Sequence, residues 1–190
     1  MFLTSNATLE AFVIESNGIE GIPATLGLYH DAHLGAAKAV RDNPDRALAD
    51  IKGLHRYFGR VFEDLVPVAE YRSVPVSVGR RQLPAPGHLS PLMGEFDEAV
   101  NYFCAQAFLS ESELAAVCAF NLHHTFVCIH PFGDGNGRLA RLILNALRLK
   151  AGLPWYTVKQ QSIESYFNTI RKYEEQTFRP AHLWAYDGAA

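Results

Sequence analysis

The chain has 190 residues, with 20 acidic against 17 basic side chains and a formal net charge of −3. A single domain of that length buries a core without disulfides or a structural metal, and that charge excludes coating of nucleic acid by bulk electrostatics. Cys104, Cys118 and Cys128 stand apart in apolar surroundings without a C-x-x-C, which reads as buried thiols in a reducing, cytoplasmic setting. The segment Met1 to Asn6 lacks a basic region and Glu10 interrupts the apolar stretch, against a signal peptide. The longest run without Asp, Glu, Lys or Arg, from Leu114 to Gly133, carries Asn121, His123, His124 and His130 and is a poor membrane span.

In chain order, Leu9, Phe12, Val13 and Ser16 share a helical face, and Gly21 followed by Pro23 stops that helix. Asn43-Pro44 is an N-cap and first-turn pair, opening a helix that turns Leu48, Ile51, Leu54, His55 and Phe58 inward. From Arg72 to Pro84 the pattern switches to period two around Gly79, a short hairpin or extended flap that Pro75 and Pro84 confine to edge pairing. Ser90-Pro91 starts a helix through Met93, Phe96, Val100, Phe103 and Ala107. Ser110 and Glu113 form a capping box for a helix running to about Cys128. The next helix begins at Gly135-Asn136-Gly137, carries Leu142, Ile143, Ala146, Leu147 and Leu149, and ends at Gly152 and Pro154. A last helix spans Ile163 to about Gln176. Neither repeats nor an interdomain linker stand out, so residues 1–190 read as one domain.

The chemistry concentrates in residues 130–141. Gly135, Asn136 and Gly137 tolerate left-handed backbone angles, and consecutive amides in such a turn form an anion nest. The following helix adds free N–H groups and its positive dipole end. Arg138 and Arg141 are neighbours on one face of that helix, and two arginines at a helix N-terminus make sense when an anion such as a polyphosphate sits there. Asp134 before the nest suits Mg²⁺, which shares phosphate oxygens. His130, with an unperturbed pKa near 6.5, suits a general base. Taken singly, each feature has a plain structural reading as a cap, a turn or a solvated face; their order makes them converge. His123 and His124 read as core or interface residues.

The stretch His-Pro-Phe-Gly-Asp-Gly-Asn-Gly-Arg-Leu-Ala-Arg resembles the signature of the Fic family, H-x-F-x-[D/E]-G-N-G-R-x-x-R, at every defining position. The likeness extends over about residues 8–175. It implies an all-α Fic fold, a bundle of about six to eight helices with a β-hairpin flap at 72–86 and a motif helix pair at 110–152. It also implies transfer of AMP from ATP, with Mg²⁺, to a Ser, Thr or Tyr hydroxyl of a target protein. By motif position His130 deprotonates the hydroxyl and Asp134 holds Mg²⁺. Gly135, Asn136 and Gly137 bind phosphates, Arg138 meets the β-phosphate and Arg141 the γ-phosphate. Val74, Val76 and Val78 of the flap would dock the target as an added strand.

Ser16-Asn-Gly-Ile-Glu20-Gly21 resembles the inhibitory motif of Fic proteins, [S/T]-x-x-x-E-[G/N], within an N-terminal inhibitory segment at 1–22. A carboxylate walled by Ile19 and Ile22 needs a partner, and Arg141 is the expected one, with Ser16 steadying the contact. Alternatives within the family are transfer of another group such as UMP, or removal of AMP. From another class comes a catalytically silent nucleotide-binding module. Auto-AMPylation and a homodimer fit the resemblance; nucleic-acid and membrane partners do not.

Overall fold

The computed structural model describes residues 4–62, 66–79, 81–106 and 112–178. Helix α1 (Asn6–Ile19) is capped by Ser5, whose Oγ accepts from the Thr8 N–H at 3.1 Å. It buries Leu9, Phe12, Val13 and Ser16 and ends where Gly21 takes φ +72°. Helix α2 (Gly27–Asp42) forms where no start signal announces one, and it stops at Asn43-Pro44, the same pair that opens the next helix. Its N-cap Leu26 makes no side-chain bond, and its buried face is mostly small: Ala36, Ala37 and Val40 beside His33 and Leu34. Packing against α1 and α8 (Asn136–Lys150) holds it, not local propensity.

Asn43 caps α3 (Pro44–Ala49), but the one helix expected beyond it breaks at Asp50. There the backbone turns to φ −134°, and Asp50 Oδ1 accepts from the Gly53 N–H at 2.7 Å. A fresh cap starts α4 (Ile51–Arg56), followed by the short α5 (Gly59–Phe62). Leu48, Ile51, Leu54, His55 and Phe58 still face the core.

The period-two stretch yields a smaller ladder than its alternation suggests. Strand β1 (Ser77–Val78) pairs antiparallel with β2 (Arg81–Gln82) around Gly79 at φ +60°. Val74 and Val76 lie outside the ladder, because Pro75 lacks the N–H that would extend it. Helix α6 (Leu89–Ala105) follows a 3₁₀ turn, and α7 (Ser112–Ile129) follows it. Ala107 and the cap residue Ser110 fall outside the described residues. Helix α9 (Ile163–Tyr173) passes into a π turn at Glu174–Phe178.

The result is all-α, helix packed on helix, with only the hairpin as sheet among the described residues. Helix α8 is its axis: nearly every residue from Asn136 to Arg148 is buried, and α7, α3, α2, α1 and α4 surround it. Helix α7 has the length and apolarity to cross a bilayer, but packs here against α6, α8 and α9.

Four histidines lie inside this bundle. His33, His55 and His123 are fully buried and His124 nearly so. Burial pushes each of their pKa values down, that of His124 to about 4. Above pH 6.5 folded and unfolded chains both hold these rings neutral. Below it the unfolded chain takes up protons that the folded one refuses, so stability falls. The urea midpoint should therefore be flat from pH 9 to pH 7 and drop between pH 6.5 and pH 4, with His124→Phe reducing the drop. Removing the second cap, Asp50→Ala, should cost about 1 kcal/mol, a fall of about 2–4 °C in Tm by calorimetry.

Candidate active site

Residues 130–135 form the turn between α7 and α8, and residues 136–141 the first turns of α8. His130 leaves α7 at φ +52°, a left-handed angle that costs a β-carbon residue energy. Arg72 holds it there. Its Nε donates to the His130 carbonyl at 2.9 Å and its own N–H donates to the Pro131 carbonyl at 2.9 Å. Its other two nitrogens donate to Val74 O at 3.1 Å and Pro84 O at 2.6 Å, the two roots of the flap. One buried guanidinium thus ties the flap to the backbone of His130. The His130 Nδ1 stands 3.3 Å from the Val127 carbonyl. A carbonyl only accepts, so this contact puts the proton of the neutral ring on Nδ1 and the lone pair on Nε2.

The loop itself is braced from within. The Asn136 side chain donates to Phe132 O at 2.8 Å and accepts from Phe132 N at 2.9 Å, all buried. The bond between Phe132 N and Asn136 Oδ1 and its mate make Asn136 a loop brace. His55 braces the outside. The Ala69 N–H donates to its Nδ1 at 2.9 Å, so its proton sits on Nε2, 3.2 Å from the Asp134 carbonyl. Its ring stacks on Phe132 at 4.1 Å. Burial keeps His55 neutral, outweighing the pull of Asp134.

Gly135 takes φ +78° as the N-cap of α8, which only glycine adopts without strain. A β-carbon on Gly137 would collide with Glu20 Oε1, so the Glu20 carboxylate lies directly over the start of α8. The Asp134 carboxylate is exposed at this mouth, one oxygen accepting from the Gly135 N–H at 2.5 Å and lying 3.5 Å from Arg138 Nη2.

The two arginines differ in how far they are satisfied. Arg141 is 2 % exposed; its Nη2 meets Glu20 Oε1 at 2.6 Å and Ser16 O at 3.0 Å, and its Nε donates to Ser16 Oγ at 2.7 Å. Burial works against its charge, yet Tyr166 and Glu20 more than compensate and its pKa is raised. Arg138 is equally buried between the rings of Tyr29, Phe58 and Phe62. Its Nε and Nη1 find no hydrogen-bond partner among the described residues. Burial dominates and lowers its pKa. This guanidinium is held out of water with two unused donors, a demand for an anion.

The structure therefore brings His130, Asp134, Gly135, Asn136, Gly137, Arg138, Arg141, Ser16 and Glu20 into one site. Val74 and Val78 are exposed and Val76 half-buried on the flap above it. Arg72 and His55 also join the site. Arg72 is readable as the first residue of the flap stretch, and His55 only as an inward helix position.

Residues 46–147 match the Fic/DOC family, and the chain belongs to it. It is 35% identical over 168 residues to the protein adenylyltransferase Fic of Aedes aegypti, covering 87% of this chain and 31% of that protein. The protein adenylyltransferase Fic of Drosophila melanogaster is 35% identical over 138 residues, 72% of this chain and 26% of that protein. The chain thus spans about a third or less of the length of these relatives. A Fic-domain signaling protein of Bacteroides thetaiotaomicron superposes with a TM-score of 0.74 at 23% identity, over 90% of this chain and 73% of that one. A fragment of Fic-1 from C. elegans does so at 0.65 and 20%, over 87% and 55%. These two likenesses establish the shared helical fold.

The brace generates a stability test. Asn136→Ala leaves the Phe132 N–H and C=O buried without partners, at a cost of roughly 2–4 kcal/mol; Asn136→Asp keeps the acceptor but sets a buried carboxylate against the Phe132 carbonyl and should cost at least as much. Chemical denaturation of the three proteins measures both.

Proposed function

We propose that this chain transfers AMP from ATP to a hydroxyl of a target protein, and that Glu20 holds the reaction in check. The observation that carries this reading is the pair of buried guanidiniums at the start of α8. Arg138 has unused donors and Arg141 is occupied by a carboxylate, beside His130 and Asp134. The relatives named protein adenylyltransferase support it.

The N–H groups of Gly135 to Gly137 and the positive end of α8 would cradle the phosphates. Asp134 fits a divalent cation of the Mg²⁺ kind: a single exposed carboxylate beside the cradle is what such an ion uses when phosphate oxygens complete its shell. When bound, that ion would offset phosphate charge. His130 Nε2 would take the proton of a Ser, Thr or Tyr hydroxyl, whose oxygen forms a bond to the α-phosphorus as the bond to the β-phosphate bridging oxygen breaks. Arg138 would receive the charge developing on the departing pyrophosphate. Arg141 would hold its γ end, but only after giving up Glu20. The exposed valines Val74 and Val78, with Val76 between them, give a target segment an apolar edge to align on.

Labelled ATP with the purified chain and cell lysate tests this. Glu20→Gly should raise AMP incorporation, including into the chain itself, by more than about tenfold, the effect of freeing one charge-assisted phosphate contact. No increase would remove Glu20 as the restraint. His130→Ala in that background should abolish transfer while equilibrium binding of ATP persists; retained transfer would exclude His130 as the base.

A further inference from the structure

The flap has two roots, and one side chain holds both. Arg72 Nη1 donates to the Val74 carbonyl at 3.1 Å, where the chain enters the flap, and Nη2 donates to the Pro84 carbonyl at 2.6 Å, where it leaves. The third nitrogen, Nε, donates to the carbonyl of His130 at 2.9 Å. Three nitrogens of one rigid plane thus reach three separate carbonyls. A guanidinium fork can do this, and the single nitrogen of a lysine cannot. The residue is 3 % exposed, so water does not compete for these bonds. Beyond its roots the flap has little to fix it. Its ladder joins only Ser77 to Gln82 and Val78 to Arg81, and Val74 and Val78 face solvent. The placement of anything docked along this edge is therefore set at the roots. On the other side of Arg72, His130 holds φ +52°, which a residue with a β-carbon keeps only when its surroundings enforce it. The phosphate cradle is braced separately, by Asn136 on Phe132 and His55 on Asp134. The Arg72 bonds end at residues 74, 84, 130 and 131, short of that cradle.

We infer that Arg72 is the positioning residue for the acceptor half of the reaction: it joins both flap roots to the backbone of His130, and so sets the register between a target hydroxyl held on the flap and the Nε2 that takes its proton. This rests on the reading of His130 as the base and of the flap as the docking edge. Without Arg72 the flap could swing about its roots and the His130 backbone could relax, and both changes misplace the acceptor. Neither touches the groups that hold the nucleotide. Arg72 therefore governs the rate of transfer and not the affinity for ATP.

The test uses the full chain carrying Glu20→Gly, with labelled ATP and Mg²⁺, and follows AMP incorporated into the chain itself. Arg72→Lys keeps the charge and loses the fork; Arg72→Gln loses both. Each should lower the maximal rate about a hundredfold, the effect of misplacing reacting groups by about 1 Å, and leave the KM for ATP unchanged. Calorimetric titration of ATP into Arg72→Lys with Glu20→Gly and His130→Ala should return the affinity of the same chain with Arg72 intact, which also shows that the variant is folded. Hydrogen exchange should quicken together in the β1–β2 ladder and in the loop at 132–135. Quickening in only one of the two would break the link between flap and base and overturn the inference. Loss of ATP affinity in step with the rate would make Arg72 a general support of the site and overturn it too. If the Glu20→Gly chain transfers AMP and Arg72→Lys does so equally fast, the positioning role alone fails. If the Glu20→Gly chain transfers none, the transferase reading fails and the inference with it.

Discussion

Arg141 is a guanidinium removed from water at the centre of a helical bundle, and such a charge must be met by another. The chain meets it with Ser16 and Glu20 of the α1 terminus. Arg138, one turn earlier, has rings around it in place of acceptors and only a distant carboxylate. The start of α8 is therefore a place of concentrated positive charge, incompletely neutralised by the protein. Under the proposed function, the missing negative charge arrives with the nucleotide.

The Glu20–Arg141 pair is unequal in a way that matters for its release. The arginine is 2 % exposed and the glutamate 35 %. Glu20 keeps partial access to water, so its departure regains hydration that Arg141 cannot regain. Movement belongs to the carboxylate side, where the chain is ending a helix and Gly21 takes a left-handed turn. The rest of α1 is fastened independently. Glu10 meets His30 at 2.6 Å, Asn17 meets buried His33 at 2.8 Å, and Glu15 accepts from the Gln160 N–H at 2.8 Å. Glu20, the C-cap of α1, is the part that stands over Gly137.

Around this charge the loop is rigid because its strain is over-determined. His130 and Ala69 both hold left-handed angles without being glycine. Arg72 fixes the first through the carbonyls of His130 and Pro131, and His55 fixes the second while donating to the Asp134 carbonyl. The flap, the base and the carboxylate share these two braces, so they are positioned as one unit.

The motif side chains and their chemistry were legible from the sequence, because their spacing within a dozen residues is short enough for local geometry to converge them. Helices α1, α6, α7, α8 and α9 were legible too, since each carries an apolar period with a cap or a stop. Helix α2 was not: its buried face of alanines has little bulk to show a period, and its stability comes from what packs on it. The break at Asp50 was hidden inside a continuous apolar pattern, and the two-residue ladder was overstated by an alternation that Pro75 interrupts. Arg72 and His55 belong to the site through contacts 58 and 79 residues distant in sequence, Arg72 to His130 and His55 to Asp134. The sequence by itself determined which residues could cradle an anion and move a proton. Only the tertiary structure decided that the other motif arginine, Arg138, is buried among aromatic rings with donors unused by the described residues, because that depends on which elements pack against the guanidinium and exclude water from it.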